Sequence, residues 1–461
     1  MPFIAERLKC WPGRQAFRYG EPSDMNITPS RREFFQSLAL GGAVALLDSP
    51  AAEAKLTPAG ESALLHPNSI ATQDLPKHYD VESDVHNLEN GYWGIMPREV
   101  ATEYGRQVAY VNRNNSLWAR DVLAGSCRAA GARAAQEAIA RQVGCQVEEI
   151  AVTRSGSEAL RMLIVNYKGV KPGDAVVYCD LDYPEMIAAM EWLGDHRGAQ
   201  VVKFAMPEPA TTANILAAYD ETLRGAPNAR LLLVTQVSNR TGLVTPVREI
   251  VAMARQRGVD TVVDVAHGIA CLDFMLDDLA ADFAGWSVHK WTSAPLGTGA
   301  MYIRKSRLTD IDIAYDGDLD SADDIAARVP TGTMDFAAVS TIPKAVEFHF
   351  AVGAAAKERH LRALRDRWVN AVRDLPNVEI CVPDDPARYC AITSFRLRGM
   401  ATDADAQRVQ QRLLEKHRVH TVWRHGIAKG PAIRVTPGFY STNADIDALV
   451  VALRAEHAMC L

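Results

Sequence analysis

The sequence predicts an α/β fold, with a large domain on a mostly parallel central sheet and a smaller C-terminal α+β domain. Three observations predict it. From about residue 145, short apolar segments alternate with helix-like ones, the rhythm of a chain that crosses repeatedly over one sheet. Some apolar segments, Leu231 to Val234 among them, carry no polar residue, as strands covered on both faces require. After an Asp-rich break at Asp310 to Asp324 and a long helical stretch from Ile342 to Leu375, the rhythm gives way to one short strand and two helices.

The elements follow in order. Val147 to Val152 reads as a short strand and Ser157 to Tyr167 as a helix. The turn Lys171-Pro172-Gly173-Asp174 sets off a strand from Ala175 to Cys179. Next come a helix (Tyr183 to Leu193), a strand (Gln200 to Phe204), a helix (Thr211 to Arg224) and a strand (Leu231 to Thr235). A helix from Val247 to Arg257 leads to the strand Thr261 to Val265, and Asp282 to Ser287 and Gly299 to Ile303 add two more strands. The C-terminal part carries a strand from Cys390 to Arg396 and helices from Asp403 to His417 and Asn443 to Glu456. These markers divide the chain into a segment over 55–110, a large domain over 111–335 and a small domain over 336–461. Residues from about 75 to 110 are expected to pack on the small domain.

With 461 residues the chain is long for one core. A net charge of −6 argues against nucleic acid as partner, since phosphate binding needs a basic surface. No apolar run reaches the ~18 residues that a membrane span needs. Eight cysteines stand at 10, 127, 145, 179, 271, 381, 390 and 460, with no C-x-x-C and no zinc spacing, so they read as buried free thiols. The remaining histidines likewise lack the spacing of a metal site.

Residues 1–54 read as an address. Ser30-Arg31-Arg32-Glu33-Phe34-Phe35 precede an uncharged stretch from Ser37 to Leu47, and Ala52-Glu53-Ala54 offers a cleavage site near Ala54. The paired arginines followed by Phe-Phe resemble a twin-arginine export motif, which carries folded proteins and places the mature form in the periplasm or outside the cell, with the export machinery as a partner. Met1 and Met25 both serve as starts for such a signal.

The chemistry is carried by residues that converge in order. An apolar run ends in Asp264-Val265-Ala266-His267, the position beyond a strand end where open α/β sheets bind ligands. Lys290 follows in Ser287-Val288-His289-Lys290-Trp291, ahead of Pro295-Leu296-Gly297-Thr298-Gly299. Upstream, Ser155-Gly156-Ser157-Glu158 opens a helix, where backbone N–H groups and the dipole suit a phosphate; the same residues also fit a capping box. A lysine amine, a strand-end carboxylate and a phosphate cradle are what pyridoxal 5'-phosphate requires: a Schiff base, a partner for the ring nitrogen and an anion anchor. No G-x-G-x-x-G opens a helix, which argues against a dehydrogenase, and the presence of both Lys290 and Asp264 argues against an exported binding protein that has lost catalysis.

Six motifs in order carry a resemblance. Asn90-Gly91-Tyr92-Trp93-Gly94, Ser155-Gly156-Ser157-Glu158, Val237-Ser238-Asn239-Arg240-Thr241-Gly242, Asp264-Val265-Ala266-His267, Ser287-Val288-His289-Lys290 and Arg434-Val435-Thr436 are similar to those of the class V aminotransferase branch of pyridoxal phosphate fold type I, in particular its isopenicillin N epimerase-like members. The resemblance covers roughly residues 85 to 456 and implies a role for each position. Lys290 would link to the cofactor aldehyde, Asp264 would pair with the ring nitrogen, and His267 and Asn239 would lie near the ring hydroxyl. Gly156, Ser157, Ser287 and His289 would hold the phosphate, and Tyr183 is the aromatic nearest the ring face. Arg434 would take the substrate carboxylate through its guanidinium fork, with Arg424 as a second anionic contact. Asn90 and Trp93 would line the entrance. Thr333 would reach the phosphate of a neighbouring subunit in a homodimer with shared active sites.

The resemblance also implies reaction at the α-carbon of an amino acid or peptide-linked amine, of epimerase or aminotransferase type, with a lyase or an oxidative decarboxylase as alternatives. No cysteine stands between Cys390 and Arg434, where cysteine desulfurases carry a nucleophilic thiol. Together with export, the resemblance points to a peptide natural product as substrate. The order of residues does not choose among the reactions, because alignment of the breaking bond decides that.

Overall fold

The computed structural model describes residues 65–458, save 124–126, 318–321 and 331; the export signal expected in residues 1–54 lies outside the described residues. In chain order the elements are β1 (His86–Asn87), α1 (Arg98–Ala119), α2 (Arg128–Val143), β2 (Ile150–Thr153), α3 (Gly156–Val165), β3 (Ala175–Cys179) and α4 (Pro184–Arg197). They continue as β4 (Gln200–Phe204), α5 (Thr212–Gly225), β5 (Ala229–Thr235), α6 (Val247–Gln256), β6 (Asp260–Asp264), β7 (Phe283–Ser287) and β8 (Gly299–Ile303). The C-terminal part holds α7 (Phe336–Val352), α8 (Ala354–Val372), β9 (Val378–Ile380), β10 (Thr393–Leu397), α9 (Asp403–His417), β11 (Val419–His420), β12 (Val422–Arg424), β13 (Ala432–Val435) and α10 (Asn443–Glu456).

Seven strands form the main sheet in the order β2-β8-β7-β6-β5-β3-β4. The run from β7 to β4 is parallel, and β8 pairs antiparallel with both β2 and β7. The α/β fold with a mostly parallel sheet is thus as the uninterrupted apolar strands imply. β3, β7 and β8 are buried along their whole length, while β4, with Lys203 on it, is an exposed edge. Register brings the carboxyl ends together: Thr235 stands beside Asp264, and Asp264 beside Gly285.

The second sheet is antiparallel, in the order β12-β13-β10-β9, and buries Phe395, Ile433 and Val435 against Trp368, Val409 and Leu449 of α8, α9 and α10. β1 adds to β11 in parallel, and Asn90 N donates to Thr436 O at 3.0 Å, so residues 86–90 run along the C-terminal part. α1 and α2 pack against α7.

Three details differ from the sequence reading. The long helical stretch is two helices, because Gly353 adopts φ 87° and ends α7. Val147–Glu149 is a 3₁₀ turn rather than strand: Glu149 folds back onto Gln146 N at 3.1 Å and accepts Lys305 N at 2.9 Å. The short strands β1, β9, β11, β12 and β13 and the helices α1 and α2 were not anticipated.

Candidate active site

The carboxyl ends of β2, β5, β6 and β7 open onto a cavity of about 750 Å³, closed on the other side by β12 and β13. Lys290 projects into it from the loop after β7, Asp264 and His267 from the end of β6 and its loop, and Arg424 and Arg434 from the facing sheet. Gly156, Ser157, Tyr183, Asn239, Ser287, His289 and Trp93 line the same space. Of the residues expected at the site, twelve meet there. Asn90 is buried and bonds through its backbone to Thr436, outside the cavity lining. Thr333 is exposed and borders a separate depression with Arg128 and Phe336.

The local folding explains the convergence. Ser155 caps α3, its hydroxyl accepting Glu158 N at 3.1 Å. Gly156, the first residue of that helix, donates to Ser287 Oγ at 2.9 Å. A Cβ on Gly156 would stand 2.7 Å from the Trp286 carbonyl carbon, so only glycine lets the helix start lie on β7. Gly94 is fitted as tightly: its N–H donates to His289 O at 2.8 Å, and a Cβ there would meet Lys290 O at 2.1 Å. The entrance segment 90–94 is thereby pinned to the backbone of the lysine loop.

Electrostatics favour anions. Three arginines, Arg154 (paired with Glu158), Arg424 and Arg434, and the Lys290 amine face two carboxylates, Asp264 and Glu89, and the α3 N-terminus adds its dipole. Burial lowers the Lys290 amine to about 8, against the pull of Asp264. The Asp264 carboxyl is raised by burial, while Lys290 and the Ala266 N–H (2.9 Å) lower it. Burial and the charge of Lys290 hold His289 neutral, down to about 4, and push His267 well below its usual range. Arg424 falls to about 10 through burial and the neighbouring Arg434.

Glu89 is the functional residue that sequence reasoning missed. Arg434 is 1 % exposed, donates to Asn239 O at 2.9 Å and forms an ion pair with Glu89. Glu89 lies next to the Asn90–Gly94 motif, but 345 residues from its partner, so no spacing could reveal the pair. Arg424 stands 4.0 Å from the same carboxylate, leaving it the looser of the two cations.

These residues fit pyridoxal 5'-phosphate. Two buried polar atoms, Asn239 Oδ1 and His289 Nδ1, have no protein partner among the described residues, and the helix start beside Ser287 has no room for a side chain. The amine, the strand-end carboxylate and the net positive cavity are placed for the aldehyde, ring nitrogen and phosphate.

Comparison with known proteins agrees. The family described as Aminotransferase class-V matches residues 98–449. The chain is 29% identical to isopenicillin N epimerase of Streptomyces clavuligerus over 338 residues, 70% of this chain and 83% of that protein. It is 24% identical to a probable cysteine desulfurase of Vibrio cholerae over 69% of this chain and 81% of that one. Among solved structures, a cysteine desulfurase of Thermococcus onnurineus NA1 superposes with a TM-score of 0.72 at 18% identity, covering 85% of this chain and 99% of that one. A C-DES structure with glycine covalently linked to its PLP cofactor superposes at 0.70 and 19% identity, covering 83% and 99%. The overall architecture is therefore that of pyridoxal phosphate fold type I, and the chain belongs to the aminotransferase class-V family, a PLP-dependent enzyme whose cofactor is pyridoxal 5'-phosphate.

Proposed function

We propose that this PLP-dependent enzyme acts at the α-carbon of an amino acid or a peptide-linked amine, in the manner of an epimerase or aminotransferase, and that it does so after export, on a peptide natural product. The observation that carries this reading is the meeting of Lys290 and Asp264 with two arginines, Arg424 and Arg434, across one cavity. Pyridoxal phosphate, when bound, supplies an aldehyde for the amine and a ring that withdraws electrons from the α-carbon. Lys290, Asp264, His267, Asn239, Tyr183, Gly156, Ser157, Ser287 and His289 would hold it. The Lys290 amine, facing the cavity, would take a proton from the α-carbon or return one. Arg434 and Arg424 would orient substrate carboxylates, with Glu89 competing for the former. The likeness to proteins named isopenicillin N epimerase supports α-carbon chemistry.

A lyase reading is favoured by the relatives named for cysteine chemistry, including a probable L-cysteine desulfhydrase of Arabidopsis thaliana. Against persulfide formation, none of the cysteines among the described residues lines the cavity. A homodimer with shared sites is part of the proposal. The exposed Thr333, beside Arg128 and Phe336, is the residue we assign to the partner's site.

The test is turnover in deuterated water of free amino acids beside a peptide with a free glutamyl α-amine. Deuterium at the α-carbon with inversion on chiral chromatography supports epimerisation, and a keto product supports transamination. Turnover of free amino acids alone would sink the peptide reading, and elimination products alone would move the enzyme to the lyases. Cell fractionation of an Arg31→Lys, Arg32→Lys double variant checks export, since the full chain should then stay in the cytoplasm.

A further inference from the structure

We propose that Trp291 is a positioning residue: its indole N–H holds His267 in a single tautomer, which makes the imidazole a donor toward Lys290 and keeps that amine neutral for cofactor capture. The inference concerns the chain before any substrate binds, so it stands whichever reaction follows.

Trp291 Nε1 lies 3.2 Å from His267 Nδ1. An indole nitrogen only donates, so Nδ1 must accept. On the other side of the ring, His267 Nε2 lies 3.3 Å from Lys290 Nζ. A neutral imidazole carries one proton, and with Nδ1 accepting it must sit on Nε2. An ammonium has donors and no acceptor, so a protonated Lys290 would set donor against donor. A neutral amine offers its lone pair.

Neither ring has freedom to escape this arrangement. Trp291 is fully buried, with its ring edge-on to Phe439 at 6.0 Å and its carbonyl 3.5 Å from Lys357 Nζ. His267 is 4 % exposed. Burial, together with the arginines Arg434 and Arg424, opposes a second proton on the imidazole. Around Lys290, Asp264 and Glu89 favour the ammonium, whereas Arg434 and Arg424 oppose it. Tyr183 presents its ring to Nζ at 5.9 Å, and the neighbouring His289 is held neutral. The directional contact from His267 tips this balance toward the amine.

Neutrality matters because Lys290 joins the cofactor through its lone pair. The C–N bond forms at the aldehyde carbon, and the aldehyde oxygen leaves as water with two protons from the amine nitrogen.

The experiment is trace acetylation of the cofactor-free full chain across the pH range, read by mass spectrometry at the Lys290 peptide. Trp291→Phe keeps the ring but lacks the N–H, so Nδ1 can carry the proton and Nε2 can accept from an ammonium. The acetylation midpoint should then rise by roughly one pH unit, the equivalent of one net hydrogen bond. A Trp291→Phe chain with native circular dichroism and an unmoved midpoint overturns the proposal. A packing defect alone would lower the melting temperature without moving the midpoint. If that variant does not fold, nitrogen-15 NMR of the histidine-labelled wild type decides, with His267 assigned by its loss in His267→Gln. An unprotonated Nδ1 supports the proposal and a protonated Nδ1 overturns it.

Discussion

Lys290 and Glu89 show what single residues contribute. Lys290→Ala should fold normally and fail to develop the visible band that the wild type shows on adding pyridoxal phosphate; a band of equal strength in the variant would remove Lys290 from its role. Glu89→Gln leaves the Arg434 guanidinium buried beside a neutral amide. Breaking one side of a buried pair costs about 3–5 kcal/mol, so the unfolding midpoint of cofactor-free protein should drop markedly. If Glu89 competes with substrate for Arg434, the same variant should lower KM for a carboxylate substrate and leave a carboxamide analogue unchanged. Lys290, Asp264, His267 and Arg434 were legible from motif and order, and Arg424 from its place shortly before Arg434. Glu89 was not, because a glutamate in an entrance segment carries no local mark of the arginine it will meet 345 residues later.

At the scale of elements, helix starts place the chemistry and can be tested separately. Gly156→Ala puts a methyl 2.7 Å from the Trp286 backbone. Overpacking of this kind costs about 1–3 kcal/mol, and because the α3 N-terminus must shift off β7, cofactor affinity should fall along with the melting temperature; titration at the visible band measures the first. The cap of α9 gives a pH test. Asp405 accepts Thr402 N at 2.7 Å, Thr402 Oγ1 at 2.8 Å and Ala401 N at 3.1 Å, and those bonds, the Thr402 backbone first, lower its carboxyl to about 2. A depressed acid contributes stability above its unfolded value of 3.8 that is lost as pH falls toward about 2. Asp405→Asn should therefore flatten the stability curve over that acid window in denaturant melts, and an unchanged slope would mean that the carboxyl is not held ionised. The helices α9 and α10 carry a local signal, since each opens with Thr and an acid three residues on. The stretch from Ile342 to Leu375 reads as one helix because Gly353 between α7 and α8 breaks the backbone without breaking the apolar pattern.

At the scale of the whole molecule, the site exists only where two sheets face each other. Arg240, in the loop after β5, is a main tie between them. It donates to Asp180 O at 2.5 Å and to Gly426 O, while Ala428 N reaches Asp180 Oδ2 at 2.9 Å and Ser394 Oγ donates to Arg240 O at 2.7 Å. Arg240→Ala should leave buried carbonyls without donors, at about 1–3 kcal/mol, and loosen the 425–428 loop next to Arg424. The expected readout is a raised KM with a smaller change in kcat; an unchanged KM would mean that Arg424 is held independently. The sequence by itself determined the parallel sheet, since uninterrupted apolar strands admit only burial on both faces, and it determined the lysine, the strand-end acid and the helix start, since these are local patterns. Only the tertiary structure decided that Glu89 neutralises Arg434, that Trp291 fixes the face His267 turns to Lys290, and that β12 and β13 bring both arginines to the cavity. Those outcomes depend on groups far apart in the chain, and their energies come from burial and directional hydrogen bonds that exist only once the two sheets have closed on each other.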